Sequence, residues 1–277
     1  MFELLSTPFV QIGILVSLVL AGIHAYLGFH VVSRGVIFVD LSLAQAAAFG
    51  YVVALLLGYG DHGVISYGIS LLFTLVGAFL ISVAKVKDDV IPHEAFIGIM
   101  YAGFAAFAIL ALINHPEGTD ILKEITNGSI LTCSMNELIV IALLYSAVGF
   151  FHYMKRDIFF LISENRAKAE ADGINVKLYD FLFYTSFGIV VTSSVHIAGV
   201  LLVFSLLVIP PVLALYFAKS KGKRLFYGWM IAVIGALLGI HFSLIADLPA
   251  GPSIITALIA ILIFGILIKR GKLATNA

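Results

Sequence analysis

The sequence predicts an all-α fold, a polytopic transmembrane bundle of about nine helices with the N-terminus outside and the C-terminus inside. Of the 277 residues, 61% are hydrophobic and 12% are charged, and the mean hydropathy is +1.11. A soluble domain carries about 45–50% apolar and about 25% charged residues, so it cannot hide this much apolar surface. The length suits one bundle, because each crossing needs about 20 apolar residues joined by short connections.

The apolar runs are separated by Gly, Pro or charged residues, which are typical boundaries of membrane helices. They predict spans at about 9–32, 36–58, 64–84, 93–114, 130–154, 180–194, 196–217, 226–246 and 252–268. Two runs meet at 193–196, and the first of them is short for a full crossing. Irregular backbone at that depth must be buried in protein or face water. We therefore expect 180–217 to lie in the interior, as a broken helix or a re-entrant hairpin.

Basic residues fall in alternate connections between the runs, and such clusters mark the cytoplasmic side. They are Arg34, Lys85, Lys87, the group in 155–177, the group in 219–224, Lys269, Arg270 and Lys272. The remaining connections are mainly acidic and are predicted to face outward. They carry Asp61, His62, His115, Glu117, Asp120, Lys123, Glu124 and Asp247. We interpret the stretch 115–124 as an outer loop that is either simply solvated, or attracts cations by its charge, or contacts a binding protein.

Three further observations limit the chemistry of the chain. No basic region precedes the first apolar run, so that run is predicted to be a retained span and not a cleaved signal peptide. The single Cys133 excludes an intrachain disulfide and a thiolate cluster, so any metal ligand must be His or a carboxylate. The sequence has no phosphate-binding Gly-rich loop followed by Lys-Ser/Thr, so we do not expect it to hydrolyse ATP. Residues 1–277 are predicted to form one transmembrane domain.

The polar stretch 162–177 differs from its apolar surroundings and predicts a short cytoplasmic helix. Ser163 is placed to cap its start, and Gly173 is placed to end it in the left-handed conformation that Gly tolerates best. Two interpretations remain open for this stretch. It is either a solvated connector or a helix on which a soluble partner docks.

Five segments then suggest a family. In chain order they are Glu94-Ala-Phe-Ile-Gly98, Asn127-Gly-Ser-Ile-Leu131, Ala169-Glu-Ala-Asp-Gly-Ile174, Gly199-Val-Leu-Leu-Val-Phe-Ser-Leu-Leu-Val-Ile-Pro-Pro211 and Asp247-Leu-Pro-Ala-Gly251. Together they resemble the zinc, manganese and iron permease subunits of bacterial and archaeal ABC importers. The run ending in Pro210-Pro211 is the most specific of the five. The segments cover most of the chain in the order found in the family.

The resemblance implies a multi-pass permease of the cytoplasmic membrane that works by alternating access. It implies a homodimer, an ATPase partner that hydrolyses the ATP, and an outside metal-binding protein that delivers a divalent zinc, manganese or iron ion. Lipid surrounds the bundle, and neither a permanent cofactor nor a nucleic-acid partner is expected. The segment that couples to the ATPase would be 163–176, and its residues would include Glu164, Ala169, Ala171, Gly173 and Ile174.

The second span departs from the family pattern of Gly-Asp-x-x-x-His. Gln45 occupies the position of the His, and Asp40 lies one residue before the position of the Asp. On an ideal helix this spacing of five residues rotates the two side chains about 140° apart, so they would not chelate one ion without a bulge. A carboxylate in an apolar run costs about 2.5–3.5 kcal/mol on insertion scales. Asp40 is therefore a pathway residue, a partner of Arg34, or a cap near the cytoplasmic end of its helix.

Three histidines complete the predicted pathway. His24 lies in the middle of the first span, His196 at the outer end of the seventh, and His241 in the outer half of the eighth. Neutral imidazole is a good ligand for zinc and similar ions. The alternative for each is a packing histidine whose ring is satisfied by its neighbours.

Other functions are compatible with parts of the pattern. A secondary transporter would use Asp40 and the histidines as a proton relay and would need no ATPase. An intramembrane metalloenzyme is disfavoured, because no His-Glu-x-x-His motif is present. An ABC importer of the same fold for a metal chelate also fits, because the paired Asp and His of the family are altered.

Overall fold

The computed structural model describes residues 7–60, 63–83, 92–128 and 130–274, and within these it leaves out the side chains of Ser82, Val83 and His93 and of residues 270–274. Eleven helices account for most of this part of the chain. They are α1 (Pro8–Ser33), α2 (Val39–Leu56), α3 (Val64–Val83), α4 (His93–Leu112), α5 (Gly118–Asn127), α6 (Met135–Met154), α7 (Arg156–Glu164), α8 (Arg166–Ala171), α9 (Val176–Phe217), α10 (Lys221–Ala246) and α11 (Ala250–Ala274). Four residues used for the topology prediction, Asp61, His62, Lys85 and Lys87, lie outside the described residues, as do the side chains of Arg270 and Lys272.

Eight of these helices are long and apolar enough to cross a membrane, within the described residues. They are α1, α2, α3, α4, α6, α9, α10 and α11. The predicted all-helical transmembrane fold is confirmed. The orientation of the termini stays a prediction.

The helix α9 contains both spans predicted between residues 180 and 217. It has 42 residues, which correspond to about 63 Å of helix, twice the roughly 30 Å of the hydrocarbon core. Gly199 interrupts it with φ 75° and ψ 161°, so it consists of two helices joined at a kink. The prediction that the runs meet at 193–196 was wrong, because those residues are helical and the break follows three residues later.

The stretch 115–124 is not a simple solvated loop. Its second half belongs to α5, and Ile121 packs into a cluster with Tyr51, Val52, Ala108 and Leu112. Ile125, one helical turn after Ile121, lies against the same cluster. The loop interpretation was wrong for this part, because apolar residues at helical spacing give the otherwise acidic segment one side that can be buried.

The predicted cytoplasmic helix is divided into α7 and α8. Asn165 caps α8, because its side-chain oxygen accepts a hydrogen bond from the Lys168 backbone N–H at 3.0 Å. The prediction of a Ser163 cap was wrong, because the Ser163 hydroxyl instead accepts a hydrogen bond from Arg34. Gly173 has φ 76°, which confirms the predicted left-handed turn after the helix.

The chain divides into two compact units. The first comprises the described residues of 1–32, 129–143 and 201–277, and the second comprises those of 33–128 and 144–200. In the first unit α10 and α11 pack together, and a Cβ on Gly239 would lie 2.3 Å from the Ile254 Cα. In the second unit α2 packs against both α3 and α4. Whether the whole chain acts as one permease domain stays a prediction.

Cys133 lies before α6 in the first unit, buried and with a protonated thiol. Burial, reinforced by the Glu137 carboxylate, raises the pKa of the Cys133 thiol from 9.0 to about 11. Only the thiolate reacts with alkylating reagents, and its fraction at pH 8 is about 100-fold below that of an unperturbed thiol. We expect N-ethylmaleimide to modify Cys133 about 100-fold faster in SDS-unfolded than in folded protein, as measured by intact mass. Equal rates in the two states would contradict this expectation.

Candidate functional site

A cavity in the second unit brings together three helices that lie far apart in sequence. Ala47, Ala48 and Tyr51 from α2 line one side of it. The rest of the lining comes from α5, with Glu124 and Ile125, and from α9, with Val195 and His196. We refer to it as the His196 cavity. The predicted topology places it toward the outer surface.

Two tyrosine rings surround His196. The Tyr51 ring meets the imidazole edge to face, with centroids 5.3 Å apart and an interplanar angle of 82°. The Tyr67 ring lies at 6.4 Å with a tilt of 47°. The Tyr51 hydroxyl donates a hydrogen bond to the Gly60 carbonyl at 3.4 Å, and the Tyr67 hydroxyl donates one to the Ile189 carbonyl at 3.5 Å. These contacts hold a half-buried imidazole at the cavity wall.

Two glycines with positive φ hold α5 against α9 beside the cavity. Gly128 ends α5 with φ 64°, and Gly199 breaks α9 with φ 75°. A Cβ on Gly128 would lie 2.1 Å from the carbonyl carbon of Ala198, and one on Gly199 would lie 2.3 Å from the Gly128 nitrogen. The two backbones are therefore in direct contact. Because Glu124 and His196 are each within one helical turn of this contact, it fixes where they lie in the cavity wall.

Asp40 is fully buried in the first turn of α2. Neither carboxylate oxygen has a hydrogen-bond partner among the described residues. The two structural alternatives for Asp40 were therefore wrong. Arg34 pairs with Asp180 at 2.9 Å and not with Asp40, and the Asp40 oxygens accept no backbone N–H as a helix cap would.

The α2 helix places Asp40 on the face that reaches the His196 cavity. At 100° per residue, Ala44, Ala47 and Tyr51 fall within about 40° of Asp40 around the helix axis. Tyr51 lies about 16 Å further along that axis. Gln45 lies about 140° away around the helix and is only half-buried. On an ideal helix Asp40 therefore shares the face of α2 on which Ala47 and Tyr51 line the cavity, whereas Gln45 lies off that face.

A line of hydroxyls on α3, which the sequence analysis missed, runs beside α2. Ser66, Ser70 and Thr74 recur every four residues and are all buried. The Ser66 and Ser70 hydroxyls have no hydrogen-bond partner in the described part of the chain, whereas the Thr74 hydroxyl bonds to that of Thr192 in α9 at 2.9 Å. The spacing of four is visible in the sequence and could have indicated a polar stripe.

Glu124 and Tyr51 were also not identified from sequence as cavity residues. Glu124 follows Ile121 in α5, so recognising the amphipathic helix would have placed it near α2. Nothing in the local sequence of Tyr51 distinguishes it from a packing aromatic residue.

The other predicted histidines belong to the first unit. His24 is fully buried in α1, and its Nδ1 lies 2.8 Å from the Leu20 carbonyl oxygen. His241 is half-buried in α10. No group of three or more His, Cys, Asp or Glu side chains with metal-binding geometry occurs within the described residues. Their place in a pathway stays a prediction.

The predicted coupling residues differ in exposure. Glu164, Ala171 and Gly173 are exposed, and Ile174 is half-buried. Ala169 is fully buried and packs with Ile162 and Val176. It therefore fixes α8 to its neighbours, while the exposed residues present a surface.

The apolar helices define the class of this molecule as a multi-pass membrane protein. The chain belongs to the ABC 3 transport family, whose sequence model matches residues 6–269. It is 23% identical over 265 residues to the manganese transport system membrane protein MntC of Listeria monocytogenes, covering 94% of this chain and 90% of that protein. It is 25% identical over 167 residues to the high-affinity zinc uptake system membrane protein ZnuB of Buchnera aphidicola, covering 60% and 61%.

A solved structure has the same fold. The chain superposes on PsaBC from Streptococcus pneumoniae, solved in complex with Fab, with a TM-score of 0.81 and 20% identity. The match covers 95% of this chain and 93% of the other. This chain therefore shares its fold with that solved structure.

Proposed function

We propose that this chain is the membrane-spanning subunit of an ATP-binding cassette importer that carries a divalent zinc, manganese or iron ion across the cytoplasmic membrane. The observation that carries this proposal is the buried Asp40 carboxylate, which has no partner among the described residues and lies on the cavity face of α2. A buried carboxylate without a counter-charge is costly, and a passing cation would offset that cost. Membership of the transport family and relatives named for manganese and zinc support the choice of substrate.

The proposed path begins at the His196 cavity. The Glu124 carboxylate and the His196 imidazole line that cavity, and both groups attract or ligate divalent ions. The ion then follows the α2 face past Ala47 and Ala44, whose side chains are small and buried, to Asp40. Ser66 and Ser70 in α3, which packs against α2, offer buried hydroxyl oxygens. Gln45 lies about 140° from Asp40 around α2 and is given no ligand position in this path.

Reorientation requires partners outside this chain. An ATPase subunit docks on the exposed residues Glu164, Ala171 and Gly173 and hydrolyses ATP, for which this chain has no motif. A metal-binding protein delivers the ion from outside, and two copies of the chain form the transport unit. Alternating access moves the ion from the cavity side to the cytoplasm.

Uptake of labelled zinc or manganese by proteoliposomes tests the function. The vesicles contain the complex with its ATPase, and the matched control carries an ATPase subunit that binds but does not hydrolyse ATP. We expect at least 10-fold more uptake with the active ATPase than with the control. Uptake driven by a proton gradient without ATP would instead establish a secondary transporter. If neither metal moves with ATP, the family assignment stands and zinc and manganese are excluded as substrates.

A further inference from the structure

An ion-pair cluster joins three segments of the second unit that lie far apart in sequence. Asp180, near the start of α9, accepts from Arg34 at 2.9 Å through one carboxylate oxygen and from Arg166 at 2.6 Å through the other. The Arg34 Nε also donates to the Ser163 hydroxyl at 2.9 Å. We refer to Arg34, Ser163, Arg166 and Asp180 as the Asp180 cluster.

The cluster is largely removed from water. The side chains of Arg34 and Asp180 are 7% and 13% exposed, whereas that of Arg166 is 37% exposed. The Arg34 guanidinium lies over the Phe183 ring, 4.0 Å from its centroid. Burial lowers the pKa of Arg34, and the Asp180 carboxylate opposes that shift. Partial burial disfavours the charged form of Arg166, but the Asp180 and Glu170 carboxylates outweigh this effect and raise the pKa of Arg166.

Such a cluster is not explained by stability alone. Desolvation of two buried charges offsets most of their attraction, so a buried ion pair is weak evidence for stabilisation. Its geometry, however, fixes the relative positions of the groups that it joins, because the planar guanidinium offers donors in a rigid fork. Here the single Asp180 carboxylate holds two arginines from different segments.

Each joined segment is continuous in sequence with a part of the candidate site or with the docking surface, by which we mean the exposed residues Glu164, Ala171 and Gly173. Arg34 precedes α2 and lies six residues before Asp40. Ser163 and Arg166 flank the junction of α7 and α8, beside the exposed Glu164. Asp180 lies near the start of the uninterrupted helical stretch 176–198, and His196 lies about 24 Å further along it.

We propose that Asp180 is a positioning residue that transmits movement of the docking surface to α2 and to α9. When a bound partner displaces α8, Arg166 carries the Asp180 carboxylate with it, and Arg34 moves the start of α2. The helix 176–198 then carries the displacement toward His196 as a rigid element. This inference rests on the proposed function for the identity of the partner, an ATPase, but the linkage itself is defined by the contacts of the cluster.

The test compares Asp180→Asn and Arg166→Gln with the control Arg156→Gln in the reconstituted complex. Arg156 is also an arginine of this region, but it is 53% exposed, and it contacts Asp157 at 3.8 Å and the Tyr153 ring at 4.8 Å, neither of which belongs to the cluster. We expect both cluster variants to bind the ATPase and to hydrolyse ATP within about 2-fold of wild type. We expect metal uptake per ATP hydrolysed to fall at least 10-fold, with partial recovery in Asp180→Glu. The control should match wild type.

A wild-type ratio of uptake to hydrolysis in Asp180→Asn would overturn the inference. If Asp180→Asn does not assemble, Arg166→Gln decides in the same way, because Arg166 is partly exposed and its loss leaves the Arg34–Asp180 pair intact. Hydrogen exchange separates this inference from the proposed function. If wild type moves no metal, the rate of hydrogen exchange in α2 and 176–198 is compared with and without ATP. An ATP-dependent change in wild type that is absent in Asp180→Asn supports the linkage. A change that persists in the variant refutes it.

Discussion

Replacing Asp40 with Asn is expected to lower ATP-driven metal uptake by about 10- to 100-fold. The Asn side chain has the same size but cannot carry a negative charge, and a charge-assisted contact contributes about 1.5–3 kcal/mol. The variant should assemble normally, because the Asp40 oxygens have no hydrogen-bond partner in the described structure that would be left unsatisfied. Uptake by proteoliposomes and size-exclusion chromatography of the complex provide the two measurements.

The matched control for this prediction is Gln45→Ala in the same helix. Gln45 lies about 140° from Asp40 around α2, so its loss should change uptake by less than about 3-fold. Thermal unfolding adds an independent readout. We expect Asp40→Asn to unfold at the wild-type temperature or above it, since it removes a buried negative charge that has no hydrogen-bond partner among the described residues. Wild-type uptake in Asp40→Asn would exclude Asp40 from the pathway.

The spans were predictable from sequence because the bilayer imposes one simple requirement. Each crossing needs a run of about 20 apolar residues, and charged or helix-breaking residues mark its ends. The angle between Asp40 and Gln45 around the axis of α2 could also be predicted from sequence, because the period of the helix alone determines it. Local physics was sufficient in both cases.

The break in α9 was misplaced for a reason that the structure explains. Serines at 193 and 194 suggested a junction, but each hydroxyl bonds to the backbone of the preceding turn. Ser193 donates to the Ile189 carbonyl at 3.0 Å, and Ser194 donates to the Val190 carbonyl at 2.7 Å. Such bonds satisfy the hydroxyl within the helix and leave it continuous. The actual break at Gly199 depends on the contact with Gly128, 71 residues earlier in the chain.

The partners within the site were not predictable from one sequence. Asp180 pairs with Arg34 across 146 residues, and Tyr51 meets His196 across a similar separation. No local pattern specifies which arginine will reach a given carboxylate. The alternative in which Asp40 pairs with Arg34 was reasonable from proximity in sequence, but the fold brings the Asp180 carboxylate to that arginine.

Replacing Gly199 with Ala is expected to destabilise the protein more than any other substitution considered for this chain. Its φ of 75° and ψ of 161° lie in a region that is essentially restricted to Gly, and a residue held there costs about 1–3 kcal/mol. The added Cβ would also lie 2.3 Å from the Gly128 nitrogen and 2.8 Å from the Thr126 carbonyl oxygen. Because both neighbours are backbone atoms, neither can rotate away, and α5 must separate from α9.

The separation of α5 from α9 should disrupt the His196 cavity and lower the stability of the folded protein. We expect Gly199→Ala to lower the midpoint of thermal unfolding by at least about 5 °C, since 1 kcal/mol corresponds to about 2–4 °C in a chain of this size. Gly103→Ala is the matched control, because Gly103 lies within α4 and a Cβ there would meet no atom within 4 Å. That control should be neutral or stabilising by about 0.5–1 kcal/mol. If both variants unfold at the wild-type temperature, the backbone contact between Gly128 and Gly199 does not hold α5 in place, and the position of Glu124 in the cavity must have another cause.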